Sequence, residues 1–272
     1  MILITDIGKD PDDAFALTYA LLSGLPIQTV ITTCKDSGFS ANIARNLIDM
    51  LGKNCSVVTG SSDPLPGGLN RSNIYHGKLE QSKAIIKHLN VESLLPDFVV
   101  CIGPLTDLKR LLEAGKVTKV LFMGQANAEN GNVTADLNSY NFKCDPQATE
   151  DCFKFRDTVR FAFIGKQLAY QVPLYQDDIA AIGNMKHPVA KFLAEHARMS
   201  HEAFKTRMPE IFNRIYKGTN VMSYCYDPLT MVALTNPGLF TFESIGQHRV
   251  GAGIDAAAVK RTLMETLTRG LS

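Results

Sequence analysis

The chain has 272 residues, 45% of them apolar and 20% charged, with a formal net charge of +1. That length can bury a sizeable core, and the near-zero charge removes any bulk electrostatic case for nucleic acid or an anionic membrane as partner. No apolar stretch is long enough to span a bilayer, and acids stand near the N-terminus where a signal peptide needs a basic region, so the expectation is a cytoplasmic protein.

Short apolar runs alternate with segments of helical periodicity. In chain order, strands are predicted at Ile2 to Thr5, Ile27 to Thr33, Ser56 to Thr59, Phe98 to Ile102, Val120 to Met123 and Val159 to Ile164. Helices are predicted between them at Asp13 to Ser23, Ala41 to Leu51, Leu79 to Leu89, Leu105 to Ala114 and Pro146 to Phe155. Residues 176 to 235 read mostly helical, and Leu239 to Ser272 reads as a strand or hairpin with a closing helix. Apolar strands joined by helices predict an α/β fold: a mainly parallel, Rossmann-like open sheet flanked by helices. With no internal repeat or linker, residues 1–272 read as a single domain. The six cysteines, at 34, 55, 101, 144, 152 and 225, form no CxxC pair and sit mostly in apolar runs, which speaks against disulfides and zinc.

Ligands of open α/β sheets bind beyond the carboxyl ends of the strands. Beyond the first strand, ITDIGKDPDDAFAL holds Asp6, Asp10, Asp12 and Asp13. Helix capping and dipole compensation account for one or two of these carboxylates, Asp12 or Asp13. Asp6 ends an apolar strand, where an unpaired charge is costly. Converging carboxylates favour a hard divalent cation, which takes oxygen ligands. On the residues alone, a metal site and helix capping both stay open. An EF-hand does not fit, since its alternating ligands and closing Glu are absent. A phosphatase-type Mg²⁺ site lacks a second carboxylate two residues beyond Asp6.

This stretch resembles the signature of the inosine-uridine preferring nucleoside hydrolases, in a form with an extra Asp in the loop. The resemblance continues in the same order: TTCKDSGFSANIARN, HGK at 76 to 78, VVCIGPLTDL at 99 to 108, VLFMGQANAENGNVT at 120 to 134, SYNFKCDPQA at 139 to 148 and YDPLTMVAL at 226 to 234. It implies hydrolysis of the N-glycosidic bond of ribonucleosides to ribose and free base, with a bound Ca²⁺. On the matching positions the Ca²⁺ ligands are Asp6, Asp13, Asp227 and the carbonyl of Ile102, and Asp6 is also the base that activates a metal-bound water. Asp12 and Asn141 are implied to bind ribose hydroxyls, Asn132 to lie near the 5′-hydroxyl, Met123 against the sugar and His76 near the leaving base. Asp10 has no fixed role and either supports the metal or caps the helix. The resemblance also implies a homodimer or homotetramer acting on a small nucleoside.

The chain departs from that pattern at several positions. Ile4 stands where Asp is usual, Asp36-Ser37 replaces Gly-Asn, and Gln125 replaces a Gly. Ser139 stands where a carboxylate grips the 5′-hydroxyl. Tyr226 stands where His protonates the leaving base, so it is a core residue, a stacking platform or a weak proton donor. Cys225 beside it reads as a small buried residue rather than a nucleophile. The other histidines, at 88, 187, 196, 201 and 248, read as surface or structural. Phe204, Phe212, Arg214 and Tyr216 lie in a basic and aromatic stretch corresponding to a lid over the base, although amphipathic packing explains most of them as well. Two readings follow: a Ca²⁺-dependent nucleoside hydrolase with altered leaving-group machinery, or a ribose- or nucleoside-binding protein of the same fold with little turnover.

Overall fold

The computed structural model describes residues 1–33, 36–62, 86–94 and 96–272. In chain order, β1 (Ile2–Thr5) leads into α1 (Asp12–Leu22), β2 (Thr29–Thr32) into α2 (Ser37–Met50), then β3 (Ser56–Thr59) and β4 (Lys87–His88). Next come β5 (Phe98–Cys101), α3 (Thr106–Glu113) and β6 (Lys119–Met123), then a hairpin of β7 (Ala126–Glu129) and β8 (Asn132–Ala135). Helices α4 (Tyr140–Cys144) and α5 (Pro146–Phe153) precede β9 (Arg160–Ile164), α6 (Lys166–Ala169) and β10 (Pro173–Tyr175). Helices α7 (Gln176–Gly183), α8 (Pro188–Arg207) and α9 (Pro209–Tyr216) follow, then β11 (Val221–Tyr224) and α10 (Tyr226–Thr235). The chain closes with a hairpin of β12 (Phe240–Ile245) and β13 (His248–Ile254) and with α11 (Ala256–Leu271).

Among the described residues the central sheet runs β12-β13-β9-β6-β5-β1-β2-β3-β4, parallel except for the antiparallel edge strand β12. Alternate residues of each strand face opposite sides, and both sides are buried. Leu3, Val100 and Leu121 face one apolar cluster, packed by α1, α2, α8, α10 and α11. Ile2, Ile4, Val99, Cys101 and Phe122 face the other, under α3 and α5. Phe122 is central there, stacked on Phe163 at 5.0 Å and edge-on to Phe161 at 5.3 Å. Ile4, where the family pattern has Asp, is thus an ordinary core residue.

Strand order positions the site. β1 is followed in sequence by β2 on one flank and, after the chain reverses direction across the sheet, by β5 on the other. That reversal beside β1 is the switch point at which open α/β sheets bind ligands. Register aligns the ends: Ile4 pairs with Cys101, and Cys101 with Phe122, so Thr5, Ile102 and Met123 stand side by side at the strand ends and Asp6 follows directly. Gly103 lets the chain beyond β5 press on β1, since a Cβ there would lie 3.0 Å from the Asp6 amide nitrogen.

Several expectations are corrected. The helix predicted at Leu79 to Leu89 falls mostly outside the described residues, and its end, Lys87–His88, is an edge strand paired with β3. Its apolar residues do not distinguish a helix from a strand over so short a run. α2 begins four residues before the predicted Ala41; its first turn, Ser37-Gly38-Phe39-Ser40, carries one large apolar residue, which is exposed, so the apolar periodicity starts only at Ala41. Within the mostly helical 176–235, Val221–Tyr224 is a strand paired with β10.

Candidate active site

The loops beyond β1, β5 and β6 and the starts of α4 and α10 enclose a cavity of about 270 Å³. Asp6, Asp12, Asp13, Ile102, Met123, Ser139, Asn141, Tyr226 and Asp227 all line it. One predicted site residue among the described ones does not line it. Asn132 sits at the start of β8, where its amide donates to Asp157 Oδ1 at 3.2 Å and its oxygen accepts from the Val133 N–H. His76 lies outside the described residues.

Asp12 and Asp13 occupy the first turn of α1, and Pro11 is the cap, without a side-chain capping bond. Neither aspartate is therefore the N-cap, although both stand in the first turn, where acids complement the helix dipole, and both line the cavity. Asp227 sits likewise in the first turn of α10, which packs against α1. Two helix N-termini thus present their positive ends to three carboxylates. Oxygens of Asp12, Asp13 and Asp227 lie within 4.8 Å of one another, and all three residues are buried. Burial, then repulsion among the neighbouring aspartates, raises each of these carboxyl groups well above the usual carboxylate range. Thr5 Oγ1 donates a hydrogen bond to Asp13, and Asp12 Oδ1 is buried with no hydrogen-bond partner. A buried, unpartnered carboxylate oxygen beside two more carboxylates is an arrangement that a divalent cation resolves.

Asp6 is not part of that triad. Its Oδ2 accepts from Lys9 Nζ at 3.2 Å, and both side chains are buried. The Lys9 loop turns at Gly8, whose φ of 107° favours glycine. His196 on α8 holds the same loop from behind, with Nε2 3.3 Å from the Lys9 carbonyl, and burial lowers its pKa to about 4.

Asn141, implied to bind ribose, donates its amide to the carbonyls of Ile102 (3.0 Å) and Met123 (3.2 Å), tying the ends of β5 and β6 together. Ser139 accepts from the Gln125 N–H at 2.8 Å, so these two departures from the family pattern are bonded to each other. One layer out, Asp145 accepts from Thr106 and caps α5, and Asp107 accepts from Ser61 and Arg110.

Part of the cavity wall is aromatic. Tyr226 meets Tyr170 and Tyr224 at ring-centroid distances of 5.8 and 6.0 Å, and Tyr224 meets Tyr216 at 6.0 Å. Burial first, then the neighbouring tyrosines, pushes the Tyr226 phenol far above its usual value, so it stays protonated. Cys225 is fully buried and burial raises its thiol pKa, as a small core residue requires. Phe204 and Tyr216 line the cavity, whereas Phe212 reaches it only through contact with His201 and Tyr216.

Several lining residues escape sequence reasoning. Lys9 lies inside the signature but is given no role by the sequence. Tyr170 and Lys166 carry no local pattern, and His201 reads as surface or structural although it lines the cavity. The other histidines are structural where their bonds are described: His248 accepts from the Phe161 N–H, and His187 caps α8.

Comparison with known proteins agrees with this geometry. The family model for inosine-uridine preferring nucleoside hydrolase matches residues 1–271. Uridine nucleosidase 1 of Arabidopsis thaliana is 27% identical, covering 97% of this chain and 81% of the relative. The type III effector XopQ, solved with adenosine diphosphate ribose, superposes with a TM-score of 0.79 at 21% identity, over 100% of this chain and 94% of its own. A purine-preferring ribonucleoside hydrolase from Gardnerella vaginalis gives a TM-score of 0.75 at 20% identity, over 100% and 99% of the two chains. A match along nearly the whole length, with the cavity at the strand ends where its motifs converge, shows that the chain belongs to the inosine-uridine preferring nucleoside hydrolase family and is a nucleoside hydrolase, an enzyme of the glycosidase class.

Proposed function

We propose that this chain hydrolyses the N-glycosidic bond of ribonucleosides in a Ca²⁺-dependent reaction, releasing ribose and the free base. The observation that carries this reading is the gathering of Asp12, Asp13 and Asp227 within 4.8 Å in one cavity, with Asp12 Oδ1 buried and unpartnered. The donors are hard oxygens, which suits Ca²⁺. Asp12, Asp13 and Asp227 would hold the ion, with the Ile102 carbonyl as a fourth donor; Asp6, the ligand that the resemblance implies, is paired with Lys9, and Asp12 is proposed in its place. When bound, the ion supplies electrostatic stabilisation and acidifies a water.

The chain's own residues do the rest. Lys9 fixes the Asp6 carboxylate through Oδ2, and Oδ1 is assigned to take the proton that the attacking water loses. Asp12 and Asn141 orient the ribose hydroxyls, Met123 packs on the sugar and Ser139 stands by the 5′-end. As the bond breaks, positive charge grows at C1′, and the carboxylate-rich floor stabilises it. Tyr226 serves as a wall for the base. His76 by the leaving base stays in the proposal as the resemblance implies it.

One observation favours the second reading, a nucleoside-binding protein with little turnover: Asp6, the assigned base, is held by a buried ammonium. Ribose release separates the two. The panel includes uridine, after the relative named for it, and inosine, each with Ca²⁺ and with chelator. Chelator-sensitive release supports the hydrolase; Ca²⁺ binding with no release supports the binding protein. A homodimer or homotetramer belongs to the same proposal and is read by light scattering. A cytoplasmic location is supported by Cys55, Cys101, Cys144, Cys152 and Cys225, all free thiols, as a reducing compartment allows. No helix among the described residues is long and apolar enough to cross a membrane.

A further inference from the structure

We propose that the preferred substrates are ribonucleosides whose base carries a fixed positive charge, such as an N-ribosylpyridinium or an N7-alkylated purine riboside. The inference rests on the hydrolase reading and names its substrate class.

The aromatic wall is built mainly from π faces and edges; the imidazole that joins it among the described residues, that of His201, has its pKa lowered by burial. Tyr170, Tyr216 and Tyr226 line the cavity, with Tyr224 joining them from behind. Tyr170 packs edge-on to Tyr224 at 5.1 Å and to Tyr226 at 5.8 Å, which holds the cluster in one arrangement. Phe204 and His201 extend it around Tyr216 at 6.5 and 5.5 Å. Several converging aromatic rings are the usual means of holding a quaternised nitrogen, through attraction of the cation to the ring quadrupoles.

The surrounding charge has the matching sign. Five aspartates line the cavity (Asp6, Asp10, Asp12, Asp13 and Asp227) against two lysines and the proposed Ca²⁺, which still leaves the lining acidic. Of the lysines, Lys9 is bound to Asp6, and Lys166 is exposed at the start of α6. Asp10 stands outside the acidic triad, yet both it and Asp12 act electrostatically on the Tyr216 phenol, so carboxylates lie close to the aromatic wall. The chemistry fits as well. When the C1′–N bond of a cationic nucleoside breaks, the electron pair returns to the ring nitrogen and the base leaves neutral. Water oxygen bonds to C1′, one water proton passes to a carboxylate, and no proton is delivered to the base. A site without imidazole at the position of Tyr226 loses nothing on such a substrate.

The test measures ribose release from nicotinamide riboside, 7-methylguanosine, uridine and inosine with Ca²⁺, each rate corrected for spontaneous hydrolysis. The expected result is a KM for at least one cationic nucleoside at least tenfold below those of uridine and inosine. Which cationic arm leads distinguishes a pyridinium site from an alkyl-purine site. Tyr170→Leu, which removes the ring, is expected to raise KM for that nucleoside at least tenfold more than Tyr170→Phe, which keeps it. Turnover of uridine or inosine with KM equal to or below the cationic values overturns the inference and leaves the hydrolase standing. Equal effects of Tyr170→Leu and Tyr170→Phe also overturn it. Ribose from none of the four overturns the hydrolase reading itself, and the inference with it.

Discussion

Lys9 Nζ lies 3.2 Å from Asp6 Oδ2, with side chains only 2% and 7% exposed. The pair sits beside three further buried aspartates, so the ammonium is a resident counter-charge for the carboxylate floor. Removing one partner of a buried ion pair leaves an uncompensated charge and costs roughly 3–5 kcal/mol. Lys9→Met should therefore lower unfolding free energy by about 3 kcal/mol in chelator, and Ca²⁺ should recover much of that loss by supplying the missing charge. Denaturant midpoints with and without Ca²⁺ check this; an identical loss in both conditions would mean that Lys9 does not serve the carboxylates.

Asp13 tests the ligand assignment. Asp13→Asn keeps the shape, and a hydrogen bond with Thr5 remains feasible, but the charge is lost. Calorimetric titration should show Ca²⁺ affinity reduced at least tenfold. Unchanged affinity would remove Asp13 from the ligand set.

Tyr226 tests the leaving-group chemistry. As a wall and not an acid, it should respond to Tyr226→Phe with equal changes in kcat/KM on a purine nucleoside and on p-nitrophenyl riboside, whose phenolate departs without a proton. A selective loss on the purine nucleoside, of tenfold or more, would assign Tyr226 the donor role.

His196 makes the loop behind Lys9 sensitive to acid. Its folded pKa of about 4 lies below the ~6.5 of an exposed imidazole. Between those values the unfolded chain binds more protons, so stability is complete above ~6.5 and is lost as pH falls towards 4. The unfolding midpoint should fall more steeply over that window in the wild type than in His196→Gln. Parallel pH profiles would assign the acid sensitivity to other groups.

Much of this was legible along the chain. β1 and β3 have the predicted boundaries, because short apolar runs bounded by polar residues leave little freedom. Asp6, Asp12 and Asp13 stood out because four aspartates do not belong at an apolar strand end without a purpose. The β7–β8 hairpin was missed, yet its signal was present: Asn130-Gly131, with φ of 50° and 75°, is a two-residue hairpin turn. Asn132 was misplaced for the same reason, since the hairpin carries it away from the cavity to Asp157.

Local pattern, then, determined the parallel sheet, the strand ends as the location of the cavity and the carboxylates that line it, because periodicity and charge are properties of neighbouring residues. Only the tertiary structure decided that Lys9 turns back onto Asp6, that Asn141 spends its amide on two strand ends, and that Tyr170, Tyr216, Tyr224 and Tyr226 form one wall. The tyrosines meet through the antiparallel pairing of β10 and β11 and the packing of α8 on α9 and β11, contacts between distant segments that no local periodicity encodes.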